Sequence, residues 1–191
     1  MATLLEIEPM NFRPQLHRLL VILALTIATT SLASAAEQGT LDPNLEPLRP
    51  WLGKTWKSDA ATNGGKTTVD VARWERALNG KAVRMLHSIN DGEYGGETIA
   101  TWDEKKQSIV YQYFTTAGFI TSGTIKAEED RIVTHETVSG NAGGVTEVRG
   151  TVEMKPDATY RIATEYLKDG KWEPARDVIY REDPEAKVVF R

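Results

Sequence analysis

Cysteine is absent from the 191-residue chain. Disulfides, a lipidated cysteine, thiol nucleophiles and cysteine-ligated metals are therefore excluded, and stability has to come from burial and strand pairing. Histidine is scarce: of three, only His87 and His135 lie beyond the first 35 positions. No H-x-H or H-E-x-x-H spacing occurs, so no dedicated metal site is implied, and no motif implies a cofactor. A serine-hydrolase elbow is also missing, since Thr121-Ser122-Gly123 lies inside a β-type run without the strand–turn–helix context. The glycine-rich stretch Gly140-Asn141-Ala142-Gly143-Gly144 leads into another β-type run, where a phosphate loop would lead into a helix. Charge of one sign is lacking as well. Twenty-three basic and 27 acidic residues are interspersed, for a net charge of −4, and no basic stripe points to nucleic acid.

The one long uncharged run is N-terminal. Arg13, His17 and Arg18 form a basic region, Leu19 to Ala28 an apolar core, and Ala33-Ser34-Ala35 an A-x-A cleavage site. Residues 1–35 thus read as a secretory signal peptide, with cleavage near Ala35 and export to the periplasm or beyond. An uncleaved anchor is the alternative, but Thr26 to Ala36 is mostly Thr, Ser and Ala, a poor match to a spanning segment of about 20 apolar residues. Glu6 and Glu8 precede the basic region, which favours Met10 as the true start. No later run approaches membrane length, so no stable membrane insertion of the mature chain is expected. The oligomeric state is open.

From Trp51 to Arg181 the chain alternates β-rich runs with short turn signals: Asn79-Gly80, Asp91-Gly92, Gly95-Gly96, Pro156-Asp157 and Asp169-Gly170. Strands are expected at 55–58, 67–78, 81–90, 97–103, 108–115, 118–126, 131–138, 145–154, 159–167 and 172–181. Asn79-Gly80 reads as a two-residue turn, and a bulge near Ala72-Arg73 would reconcile the parity of Val69 and Val71 with that of Trp74 and Leu78. Ten short-looped strands exceed what a flat sheet carries without curling. The expected fold is therefore all-β, a single antiparallel up-and-down barrel of about ten strands, lipocalin- or calycin-like. Leu41 to Leu48 should add a short helix at one end, kept short by Pro47 and Pro50. A two-sheet sandwich would need long crossovers that are not evident. The organisation is a lead-in at 36–44, the barrel at 45–183 and a tail at 184–191, which either adds an edge strand or frays.

Three ordered motifs carry a family resemblance: Leu48-x-x-Trp51-Leu52-Gly53-x-x-Trp56, Trp74-Glu75-x-x-Leu78-Asn79-Gly80-Lys81, and Tyr94-Gly95-Gly96-Glu97 followed by Trp102-Asp103. Together they resemble the lipocalin-like β-barrel proteins of the DUF1579 type. The resemblance implies a calycin-type barrel with a short N-terminal helix over one end, and says little about activity. The chain departs from that family's glycine-x-tryptophan opening by one residue, at Gly53-Lys54-Thr55-Trp56.

Candidate site residues follow from the strand faces. His87 shares a face with Val83, Met85 and Ile89, whereas His135 sits on a mixed face between Val133 and Thr137. Tyr111 and Tyr113 share a face with Ile109, and Trp56, Trp74 and Trp102 lie on other runs. If these faces point inward, Trp56, Trp74, His87, Trp102, Tyr111, Tyr113 and His135 would line a cavity for a small apolar or amphipathic molecule. Three alternatives remain: an enzyme using His87 or His135 as a base, a haem-binding barrel with one histidine ligand, and an interaction module whose core is filled. Glu75, Glu97, Glu136 and Glu147 could pair with Arg73, Arg84 or Arg149 across strands.

Overall fold

The turn-separated runs pair with their neighbours in sequence. In the computed structural model, which describes residues 40–63 and 66–191, they form β1 (Thr55–Ser58), β2 (Ala61–Asn63), β3 (Lys66–Thr68), β4 (Asp70–Ala77), β5 (Ala82–Ile89), β6 (Tyr94–Asp103), β7 (Ser108–Thr115), β8 (Ile120–Ala127), β9 (Arg131–Ser139), β10 (Val145–Met154), β11 (Tyr160–Lys168) and β12 (Lys171–Glu182). The expected signal peptide lies outside the described residues. Strands β4 to β12 run up and down in order, and β1 closes the ring between β12 and β4. Trp56 is paired with Glu182 on one side and with Ala72 on the other. The result is a closed, ten-stranded antiparallel barrel whose own strands leave no open edge. Strands β2 and β3 form a separate two-stranded sheet between β1 and β4.

The period-2 alternation decides which side chains point into the barrel. Trp56, Ala72, Val83, Ala100, Ile109, Ile125, Ile132, Tyr160, Val178 and Tyr180 are buried in one cluster. A 3-10 segment, Pro43–Trp51, adds Leu45, Leu48 and Trp51 to that cluster. Burying Leu45 and Leu48 fully contributes about 1.5–3 kcal/mol each relative to exposure. Asp42 ties the segment down: its N–H donates to the Gly80 carbonyl at 2.8 Å, and Lys81 Nζ lies 3.0 Å from its carboxylate. The segment therefore sits at the end holding the β4–β5 turn. It winds as 3-10 turns where helical turns are expected from the sequence, because Pro47 and Pro50 lack the N–H an α-helix needs.

Three local expectations are corrected. Ala77 pairs with Ala82, so the β4–β5 connection has four residues rather than two. Leu78, Asn79 and Gly80 all adopt positive φ there, and Gly80 presents its carbonyl to Asp42. No bulge interrupts β4, whose pairing with β5 is continuous from Asp70 to Ala77. The parity puzzle arises because the interior face of β4 begins with a polar residue, Asp70, while Val71 lies on the other face. The run expected at 67–78 is also split at Val69, with its first residues in β3. The tail forms no strand, but it lies on the barrel: Val189 N–H donates to Ser88 Oγ at 3.0 Å.

Candidate binding cavity

The inward faces do not fill the barrel. They enclose a cavity of about 550 Å³ whose lining reaches Phe119, Asn141 and Ala142, in loops at the end opposite the 3-10 segment. Val83, Met85, Ile125, Val148, Val152 and Ile162 supply apolar wall. Polar groups are few and gather in two places.

The first centres on Asp70, which is 2% exposed. His87 Nδ1–H donates to its carboxylate at 3.1 Å. Arg176 Nη2 donates to Oδ2 at 2.9 Å and the Tyr180 hydroxyl to the same oxygen at 2.7 Å. Burial alone would raise the carboxyl pKa; the hydrogen bond and attraction of His87, then Arg176 and Tyr180, outweigh it and hold Asp70 below the usual carboxylate range. Arg176 shows the converse: burial disfavours its charge, but Tyr180 and Asp70 more than restore it. The chain continues from His87 Nε2, 2.6 Å from the Tyr113 hydroxyl, and Tyr113 donates onward to Tyr94 at 2.8 Å. Burial, then Tyr94 and Asp70, push the Tyr113 hydroxyl well above its ordinary range, so it holds its proton at neutral pH.

Two backbone features make this network possible. Gly96 stands opposite His87, and a Cβ there would lie 2.5 Å from Tyr113 Cε2; only glycine lets the ring cross β6 and reach the histidine. On β12, the register with β11 shifts between Thr164 and Glu165, so that Thr164 faces Arg176 while Glu165 faces Pro174. The extra residue, Ala175, reverses the parity of the strand, leaving Trp172 outside and turning Arg176 inward.

The second polar place is Glu136 on β9. It accepts hydrogen bonds from Thr121 and Tyr111 hydroxyls. Ala100, Tyr111, Gly123, Glu136, Val148 and Tyr166 form one row around the barrel, through consecutive cross-strand pairs. A Cβ on Gly123 would lie 2.7 Å from Glu136 Cβ and 2.9 Å from Tyr111 Cε1, so its absence opens the space into which both lean. Burial raises the Glu136 pKa more than Thr121, Tyr111 and the nearby His135 lower it. One further buried polar atom on the cavity wall, Thr164 Oγ1, has no hydrogen-bonded partner among the described residues.

Of the seven residues singled out in the sequence, Trp74, His87, Tyr111 and Tyr113 line the cavity. Trp56 and Trp102 do not; Trp56 is fully buried edge-on to Tyr160, and Trp102 packs against the same core. His135 is on the outer face, its side chain 55% exposed and bonded to Glu147 at 2.8 Å, because Glu136 beside it takes the inward position. Of the surface acids, Glu75 and Glu97 do meet Arg73 and Arg84, while Arg149 pairs with Glu165. Asp70, Arg176 and Glu136 belong to no motif. A parity count anchored on Ile132 and Val138 would have pointed Glu136 inward; Arg176 was hidden by the bulge.

Among the described residues no three His, Asp or Glu side chains converge as a metal-binding group would. No family model matches the chain, and no curated protein matches it. Fourteen chains of solved structures do match. One is Rv2717c from M. tuberculosis, with a TM-score of 0.55 and 13% sequence identity, covering 75% of this chain and 99% of that one. The chain shares that protein's fold. That likeness extends to the fold alone.

Proposed function

We propose that this barrel is an exported, non-enzymatic binding protein of the DUF1579 type that takes one small apolar or amphipathic molecule into its interior. The observation that carries the reading is the cavity. Its volume falls within the roughly 300–1,000 Å³ range of small-molecule sites, and its walls are apolar with a few convergent polar groups. A filled-core module would leave no such space. The unpartnered Thr164 hydroxyl adds support, since buried polar atoms in native proteins nearly always have a partner, supplied by protein, water or ligand.

Asp70, His87 and Tyr113 have the form of a base oriented by a carboxylate, which is what the enzyme alternative would need. The three groups are closed on one another as they stand. Both nitrogens of His87 are engaged, and Tyr113 retains its proton. The same engagement leaves His87 no nitrogen for a haem iron, and His135 faces away from the cavity.

Trp74 lines the cavity, so its emission reports occupancy. Titrating the full chain with fatty acids and hydrophobic dyes should change tryptophan fluorescence saturably; silence across varied probes would count against the proposal. Export makes a separate expectation. The periplasmic or secreted protein should begin near Ala36, and recovery of only unprocessed chain from the cytoplasm would remove that part.

A further inference from the structure

The two carboxylates that face the cavity are treated differently by the fold. Asp70 is matched by Arg176 and His87 within hydrogen-bonding distance. Glu136 has no cation within 4.0 Å among the described residues; its partners are the hydroxyls of Thr121 and Tyr111. Both acids are largely withdrawn from water, where an uncompensated carboxylate is costly. A fold that needed only a hydrogen-bonded polar residue at this position could use glutamine.

The surroundings of Glu136 are aromatic. Tyr111 and Tyr166 flank it in its own row, separated from it by the small or short residues Gly123 and Val148. Tyr113 lies one row nearer the mouth, paired with Thr121. The carboxylate disfavours ionisation of Tyr94, Tyr111, Tyr113 and Tyr166 alike, so all four rings lie within range of its charge. Tyrosine faces attract ammonium groups through the ring quadrupole, and the attraction grows when water is excluded. Arg176, the cation three strands away on β12, is already held by Asp70 and Tyr180 and is not free to anchor an anionic head.

Building on the binding role proposed above, we infer that the ligand is a lipophilic cation, an ammonium group with an apolar tail, seated at Glu136 among the tyrosines. The tail runs along the Val148, Val152 and Ile162 wall towards the closed end. Binding supplies the counter-charge that the protein withholds.

Three probes with one tail separate the possibilities: decyltrimethylammonium, decanol and decanoate, each titrated calorimetrically into the full chain below its micelle concentration. The ammonium should bind at least tenfold tighter than the other two. Glu136→Gln should erase that margin while leaving decanol binding within about twofold, with the variant's thermal melt showing that it folds. Equal binding of all three, a preference for decanoate or decanol, or an ammonium preference that survives E136Q would overturn the inference and leave the binding role standing. Failure of all three probes, together with no fluorescence response to any hydrophobic dye, would remove the binding role and this inference with it.

Discussion

Asp70→Asn should lower the stability of the barrel by about 3 kcal/mol at pH 7. The carboxylate accepts hydrogen bonds from His87, Arg176 and Tyr180 at 3.1, 2.9 and 2.7 Å. Asparagine retains one acceptor oxygen and no charge, so at least one donor loses its partner and Arg176 loses its counter-ion. Removing one member of a fully buried pair costs about 3–5 kcal/mol. Arg176 is still 28% exposed, so solvent recovers part of that cost and the lower end applies. With a urea slope of about 2 kcal/mol/M for a domain of this size, the midpoint should fall by about 1.5 M. The pH dependence follows from the depressed carboxyl pKa. The unfolded chain protonates first, near pH 3.9, so the carboxylate's contribution is complete above that value and is lost as pH falls through the lower folded value. The gap between wild type and variant should therefore be widest at neutral pH and should close below pH 4. A midpoint shift under about 0.5 M at pH 7, or a gap that does not close in acid, would refute the assignment of Asp70 as the charged hub of the interior.

Glu136→Gln should act in the opposite sense. Because burial raises its folded pKa, the ionised form is a burden at neutral pH that appears as pH rises from about 4.3 through the folded value. The variant should gain about 1 kcal/mol, a rise of roughly 2–4 °C in melting temperature at pH 7.5, with no gain at pH 4. An unchanged or lower melting temperature at pH 7.5 would show that Glu136 is compensated in a way the geometry does not contain. Gly96→Ala should place a methyl 2.2 Å from the Phe114 carbonyl and 2.5 Å from the Tyr113 ring, costing about 1–3 kcal/mol and breaking the His87–Tyr113 contact. Nitrogen chemical shifts of His87 should move with it, and an unperturbed imidazole would contradict the role given to the glycine.

The barrel was legible from local chemistry. All ten barrel strands fall within about three residues of the expected runs, although Gly95-Gly96, read as a turn, lies inside β6, and the closed topology follows because the strands pair in order. Where the reading slipped, polar residues stood on the inner face. Asp70 at the head of β4 made a continuous strand look bulged, and the true bulge, at Ala175 beside Pro174, went unread and turned Arg176 inward. The cavity residues were legible in proportion to their apolar neighbours. His87, Tyr111 and Tyr113 sit in clean alternations, whereas Glu136 alternates with Thr134 and Val138 and looked like one more surface acid. The Asp70 cluster joins residues 106 and 110 positions apart, which only closure of the barrel brings together.

An interior that is a site and not a core takes up an apolar guest of its own size. Nile red, a neutral dye that brightens and shifts to the blue in apolar surroundings, tests this when titrated into the full chain and into Val148→Trp, which fills the middle of the cavity beside Glu136. One saturable site per barrel in the wild type, lost in a variant that melts at least as high, is the expected result. No saturable binding, or binding that the tryptophan leaves intact, would contradict it.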